Sequence, residues 1–436
     1  MSKKTLTVTG TGDALFVAPF PEYYSQEKKK VTDFINAHQV KITNLETNLS
    51  DFGSFANSYS GGTWINTKKE YFSHLASMGF NFYGTANNHC MDYSFKGLLS
   101  TIEHLDEMNL AHAGTGATLD EAEAPAILTV DDKKIAIFAV DCIYQPPSKA
   151  GRATKTFEGR PGVNFLRHEK SYLVSKEQQE TLRQIAKDTG INFTREQLIA
   201  TGYATPDPYG VFKFGEVTFT TNKDQPKTIC NKKDKRRLLD LIKKSKKEND
   251  YVFLQIHCHD NDDVSHRNPP AYLTEFCRSC IDNGVSAIFG GGAHELRPIE
   301  IYKGKPIFYS LGDFIYQGPQ VEYLPADFME QYGVDINATA QEALNVRSRN
   351  GKVGLHLEKK NYQTVLPSLK FEGEKMTSFK LLPLELNFAK TDLTNGLPTV
   401  ANREESQQIV DLFNQISAPF GSQFMLDEQG FILLKD

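Results

Sequence analysis

Short apolar runs and amphipathic stretches take turns along this chain, and that rhythm limits the folds open to it more than any other feature. "LTVTGTG" precedes the helical pattern "EKKKVTDFINAH", "VKITNLE" precedes "KKEYFSHLASMG", and "FNFYGTA" precedes "KGLLSTIEHLDEMN". The rhythm resumes downstream with the helical "KRRLLDLIKKSKKEND", the strand "YVFLQIH", the helical "AYLTEFCRSCIDNG" and the strand "SAIFGG". Alternation of this kind indicates an α/β fold with a largely parallel sheet. "APAILTV" and "KIAIFAVD", separated by Asp131, Asp132 and Lys133, read as a hairpin-like pair that adds antiparallel pairing, and "RPIEIYKG" and "KPIFYSLGDF" read as further strands.

The rhythm is interrupted twice. Between Cys142 and Lys247 the chain carries the loop-like "QPPSKAGRATKTFEGRPG" and the turn-plus-hairpin pattern "TGYATPDPYGVFKFGEVTFTT", so residues 143–247 read as an insertion or lid. From Gln317 onward the pattern is irregular until the helical "NREESQQIVDLFNQIS" and the terminal strand "GFILLKD". A chain of 436 residues has room for two or three units. The expected organisation is one domain over 1–345 that contains the insertion, with 346–436 as a C-terminal extension packed on it.

Composition removes several classes of function. The formal charge is only −5, and basic residues cluster mainly in one stretch, where Leu238, Leu239, Leu241 and Ile242 form the apolar face of a helix packed on the sheet. Nucleic acid is therefore not an expected partner. The start "MSKKTLTVTGTGDALF" has no apolar leader and no cleavage pattern, and no window holds the roughly 18 to 20 apolar residues of a membrane span. Six scattered cysteines in a large chain fit reduced thiols, so a cytoplasmic location without membrane insertion is expected. Cys277 and Cys280 have CxxC spacing but lie inside a helical pattern with no second pair, and read as structural. The glycines of "GTGDALF" lack the spacing of a nucleotide-binding loop.

The chemistry lies at the strand ends. Asp13 follows "LTVTGTG", Glu46 follows "VKITNL", Asn88 and His89 follow "FNFYGTA", His257 follows "YVFLQI" and His294 follows "SAIFGGGA". Any one Asp or Asn in such a place is ordinarily a turn former or a helix cap. Imidazole is not a favoured cap, and two histidines end long apolar strands. Polar groups at five carboxyl ends of one parallel sheet converge on one crevice, and these types bind divalent metals through oxygen and nitrogen. A dinuclear metal site is the expectation.

"GTGDALF", "ITNLETNLS", "ANNHCMDYS", "QIHCHD" and "GGGAHELRPIEIYKGKPIFYSLGDF" occur in an order that resembles the poly-γ-glutamate capsule biosynthesis (CapA-like) family, itself similar to the calcineurin-like metallophosphatases. The resemblance implies a four-layer α/β/β/α sandwich of metallophosphatase-like type over 1–345. It implies two divalent ions (Mn, Fe or Zn), with Asp13 and Glu46 as carboxylate ligands, Asn88 as an amide ligand and His257 and His294 as imidazole ligands. His89 becomes the general acid, its tautomer fixed by Asp92. Three departures from the family pattern stand out: Gly292 replaces the first histidine of His-x-His, Cys258 and His259 replace Trp-Gly, and Asp313 replaces Asn. His259 is the candidate to supply the lost nitrogen.

The implied activity is metal-dependent hydrolysis of a phosphate ester or a poly-γ-glutamate-related substrate by a metal-activated water. The alternative is a non-catalytic accessory or polymer-binding protein of capsule synthesis. In that case Lys149, Arg152, Lys155, Arg160 and Arg167 of the insertion are the candidates to hold an anionic small molecule or polymer, although charges in a Gly/Pro-rich loop are ordinarily just solvated.

Overall fold

The computed structural model describes residues 5–262 and 265–435. In chain order, β1 (Thr5–Leu15), α1 (Ser25–Asn36), β2 (Val40–Leu45), α2 (Lys69–Ala76), β3 (Phe82–Gly84), α3 (Ser94–Glu107) and β4 (Ala111–Ala113) form the opening α/β run. β1 to β4 pair in parallel, each with the next. A second sheet of six strands follows: β5 (Ala126–Val130), β6 (Lys133–Asp141), β7 (Tyr251–His257), β8 (Ala287–Gly291), β9 (Ile299–Tyr302) and β10 (Lys305–Phe308). Its helices are α4 (Lys232–Glu248), ahead of β7, and α5 (Ala271–Asp282), between β7 and β8. The expected mixture is present, with β6, β7, β8 and β10 parallel and the β5/β6 and β9/β10 pairs antiparallel.

After β10 the chain returns to the first sheet, and here the structure departs from the sequence reading. β11 (Asp313–Tyr316) pairs in parallel with the second half of β1. Beyond α6 (Ala326–Tyr332) and α7 (Ala340–Arg347), the stretch read as irregular contains a long hairpin of β12 (Gln363–Glu372) and β13 (Lys375–Glu385). β12 pairs antiparallel with the first half of β1, from Thr5↔Glu372 to Val8↔Leu369. Proline at positions 367 and 383 hid these strands, because proline argues against a strand interior. The two-residue strand Thr399–Val400 and the short pair β14 (Phe424–Leu426) and β15 (Ile432–Leu434), with α8 (Arg403–Ile416) between them in sequence, bring the sheet to ten strands. Asp436, the end of the expected last strand, lies outside the described residues. The 143–247 segment contains the expected hairpin, Val211–Phe214 with Val217–Thr220. It also holds two helices the sequence reading did not mark, Lys176–Thr189 and Phe193–Ala200.

β6 shows why its sequence is apolar without a break. Ile135, Ile137 and Ala139 join a cluster in which Leu6, Val8 and Phe371 of the larger sheet meet Phe253, Phe289 and Phe308 of the smaller one. Ala136, Phe138 and Val140 point the other way, into a cluster with Leu238 and Ile242 of α4 and Phe276 of α5. Both faces of the strand are buried, so alternation in space leaves no alternation in polarity. A third cluster joins α1, α2 and α3 to the larger sheet through Val31, Ile35, Phe72, Leu75 and Leu105. The registers bring strand ends side by side: Asp13 beside Asn44 and Asp313, and His257 beside Asp141 and Gly291.

Candidate metal centre

Asp13 ends the irregular part of β1. A side chain at Gly12 would drive into the Gly312 carbonyl oxygen, so only glycine lets β1 lie this close to the turn into β11. The Asp13 carboxylate is fully buried. One oxygen accepts from Asn44 Nδ2 (2.6 Å) and lies 3.2 Å from His257 Nδ1, and the other accepts from the Gly292 N–H (2.5 Å). Burial works to raise its pKa, but His257 and these donors prevail and hold it below the ordinary value.

His257 carries the arrangement across its ring. Its Nε2 lies 2.7 Å from Asn88 Oδ1, 3.1 Å from His259 Nε2 and 3.5 Å from Glu46 Oε1. Burial lowers the His257 pKa, but Asp13 outweighs it and the net direction is up. His259 is driven well below its usual value, first by burial and then by the surrounding His257, His294 and His89. A neutral imidazole has a lone pair to offer a cation.

Glu46, His257 and His259 form one group of converging ligand atoms, and Glu46, His294 and Asp313 form a second. His294 adopts φ +54°, uncommon for a residue with a side chain and characteristic of constrained sites. Its Nδ1 lies 2.9 Å from Asp313 Oδ1. Burial depresses the His294 pKa, but Asp313 overrides it and raises it to about 9. Gly292, where the resemblance leads one to expect histidine, has φ +98°, and a Cβ there would come within 2.6 Å of the Cys258 backbone nitrogen. No side chain fits at that point. The His259 ring stands between those of His257 and His294, with centroids 5.0 Å from each.

Whether these residues suit a metal is tested by Glu46. Both its carboxylate oxygens are buried without a hydrogen-bond partner. Burial, and then Asp13, Asp313, Asp141 and Asp92, push its carboxyl well above the ordinary value. A buried carboxylate facing four others with no hydrogen bond of its own is costly as it stands, and it belongs to both candidate groups. Oxygen and imidazole donors that meet at such a carboxylate fit a divalent cation.

The "NNH" segment divides its work. Asn87 is a clamp: Nδ2 donates to the Leu45 carbonyl (2.8 Å) and Oδ1 accepts the His89 N–H (3.1 Å). Asn88 presents its oxygen to His257 and donates from Nδ2 to the Gly61 carbonyl (2.8 Å). His89 has Nδ1 2.7 Å from Asp92 Oδ2, and its Nε2 is 4.0 Å from Glu46 Oε1. Asp92 is itself fixed by the Gly61 and Ile65 N–H groups, at 2.9 and 2.8 Å.

The structure thus gathers Glu46, Asn88, His257, His259 and His294 at one point, with His89 beside them and Asp92 behind His89. Asp13 stands apart from both candidate groups, on the Nδ1 side of His257. Sequence reasoning passed over Asn44 and Asp141 and noted Asp313 only as a departure. Asp141 ends β6 in register with His257, and burial raises its carboxyl to about 6. Asp141 follows the apolar run "KIAIFAV" as Asp13 follows "LTVTGTG", and that strand-end position is the signal that marks it.

A cavity of about 730 Å³ opens over His89, His259 and His294, and its lining also includes Arg347, His356 and Lys360. None of the five basic residues of the insertion lies in its wall. Arg152 pairs with Asp120 and Glu123, Arg167 with Asp234 (2.7 Å), and Arg160 Nε donates to the Lys149 carbonyl (3.0 Å). All six cysteines are free and buried, Cys277 and Cys280 within the cluster under α5. Among the described residues no helix is long and apolar enough to cross a membrane.

Fold and site together define a mixed α/β protein with buried candidate metal ligands where the strand ends of two sheets meet. By sequence, residues 7–318 match the family described as bacterial capsule synthesis protein PGA_cap, and the chain belongs to that family. Two relatives from Sinorhizobium fredii, the uncharacterized proteins y4sH and y4uA, are 29% identical over 97% of this chain and 92% of their own length. The PGA biosynthesis protein CapA of Bacillus subtilis is 25% identical over 58% of this chain and 47% of its own. A probable polyglutamine synthesis accessory protein of Mycobacterium tuberculosis is 24% identical, covering 65% and 57%.

Proposed function

We propose that this protein is a metal-dependent hydrolase acting on a phosphate ester or a poly-γ-glutamate-related substrate, built as a four-layer α/β/β/α sandwich of metallophosphatase-like type. The layering is supported by an apolar cluster shared between the sheets and helices packed on their outer faces. The observation that carries the chemical reading is Glu46, buried, without a hydrogen-bond partner and common to two groups of ligand atoms. Glu46, Asn88, His257 and His259 would hold one divalent ion (Mn, Fe or Zn), and Glu46, His294 and Asp313 a second. When bound, such ions supply Lewis-acid polarisation and a water of lowered pKa.

The protein's own groups do the rest. Asp13 holds His257 in the orientation that turns Nε2 toward Asn88, Glu46 and His259, a role that carboxylates commonly play behind histidine ligands. Asp92 fixes the His89 ring through Nδ1, leaving Nε2 on the Glu46 side to deliver a proton to the departing oxygen. The cavity over His89, His259 and His294 admits the substrate.

Elemental analysis of purified, metal-loaded protein tests this reading, paired with phosphomonoester, phosphodiester and γ-glutamyl hydrolysis screens. The expected result is metal near two per chain and turnover abolished by chelator. His257→Ala is expected to lower bound metal, whereas His89→Ala retains metal and loses about 10²- to 10⁴-fold in turnover. Unchanged metal in His257→Ala would remove the ligand assignment. The name of the Mycobacterium tuberculosis relative supports a second reading, an accessory or polymer-binding role. Bound metal with no turnover on any of these substrates, together with retained polymer binding, is the outcome that favours it.

A further inference from the structure

The cavity is lined by two unlike parts of the chain. His89, His259 and His294 lie within residues 7–318, the stretch that matches the family. The lining residues from 341 to 361 lie outside that stretch and include Arg347, His356 and Lys360. A shared reactive part beside a lining not shared in the same way is where substrate choice resides in many folds.

The cations of that second part are not equivalent. Lys360 lies 2.8 Å from Glu358 and 3.8 Å from Glu295, so its charge is met within the protein. Arg347 makes no ion pair with an acidic group among the described residues. Its guanidinium packs over the Phe328 ring at 5.7 Å and donates from Nη1 to the Thr63 hydroxyl. Guanidinium has five N–H donors in a rigid fork, and the others meet no acceptor among the described residues. Thr63 sits in the loop whose Gly61 is held by Asp92 and Asn88, so the fork is tied to the candidate metal centre through one short segment. A half-buried, pre-oriented and unmatched guanidinium favours a planar or tetrahedral anion over a neutral group.

We infer that Arg347 receives a second anionic group, carboxylate or phosphate, on the molecule whose reacting group lies over His89, His259 and His294. This deepens the hydrolase reading and rests on it for the position of the reacting group. The substrate is then at least dianionic, and Arg347 selects it by charge.

The test is calorimetric titration of the full chain, stripped of metal by chelator, with a short γ-linked glutamate oligomer and separately with inorganic pyrophosphate. Wild type is expected to bind one of them. Arg347→Gln weakens that binding by about tenfold or more, while Arg347→Lys, which keeps charge but loses the fork, falls between. Binding of the oligomer assigns a carboxylate, and binding of pyrophosphate a phosphate. Equal affinity in wild type and a folded Arg347→Gln, or no binding of either probe by wild type, overturns the inference. Thermal unfolding of both variants shows that they are folded. Metal content measured on untreated samples reports the ligand assignment separately, because Arg347→Gln is expected to keep its metal whichever way the titration falls.

Discussion

Arg297 is the largest of the fully buried side chains, and it makes no ion pair with a carboxylate among the described residues. Its Nε donates to the His266 carbonyl (2.8 Å), Nη1 to Cys258 (3.1 Å), and Nη2 to His259 and Asp260 (3.2 and 2.7 Å). One guanidinium thus ties down three successive carbonyls just after β7 and sets where His259 stands. Arg297→Met leaves those carbonyls without donors and is expected to cost about 3 kcal/mol or more in denaturant unfolding. Arg297→Lys keeps the charge but cannot span four acceptors, so it is expected to fold and to hold less metal at the same free concentration. Wild-type metal affinity in a folded Arg297→Lys would show that His259 does not depend on this fork. "RPIE" was legible only as the start of a strand, since a buried arginine and an exposed one are written alike.

Among the elements, β1, β2, β3 and the helices α1, α2 and α3 were readable from period alone, because each buries one stripe or two faces against a neighbour, whereas the three-residue β4 is too short to show a period. α7 was not, since its residues are mixed in polarity and only Ala340, Ala343 and Leu344 are buried. Its start is set by a capping box: Thr339 accepts from the Glu342 N–H, and Glu342 accepts from the Thr339 N–H. Thr339→Ala is expected to cost about 1 kcal/mol locally. Hydrogen exchange over 340–347 is therefore expected to quicken while the global unfolding midpoint barely moves. Unaltered exchange there would mean that the packing of Ala343 and Leu344, and not the cap, holds the helix and with it Arg347.

At the scale of the whole molecule, β1 is shared between two late partners: β12 against its first half and β11 against its second. Ending the chain at residue 345 removes β12 and β13, and with them Val365, Leu369 and Phe371 from the cluster between the sheets. The shortened chain would expose the edge of β1 and apolar surface together. It is expected to be recovered as aggregate, whereas excising the outlying segment 176–221 is expected to leave a soluble, cooperatively unfolding protein. Size-exclusion chromatography and thermal unfolding of both check this, and a soluble, folded 1–345 product would show that the late hairpin is dispensable.

The sequence by itself determined the alternating elements, the long apolar runs of β6 and β7, and the polar residues waiting at the strand ends, because each is a local consequence of period and residue type. Only the tertiary structure decided which of those ends meet. It turned Asp13 to the back of His257, left Glu46 without a hydrogen-bond partner between two groups of ligand atoms, admitted Asp313, stood the His259 ring between those of His257 and His294, and put Arg347 in the lining of the same cavity. Those relations join residues up to about three hundred positions apart, and they follow from strand order and register, which a local pattern of apolar and polar residues does not encode.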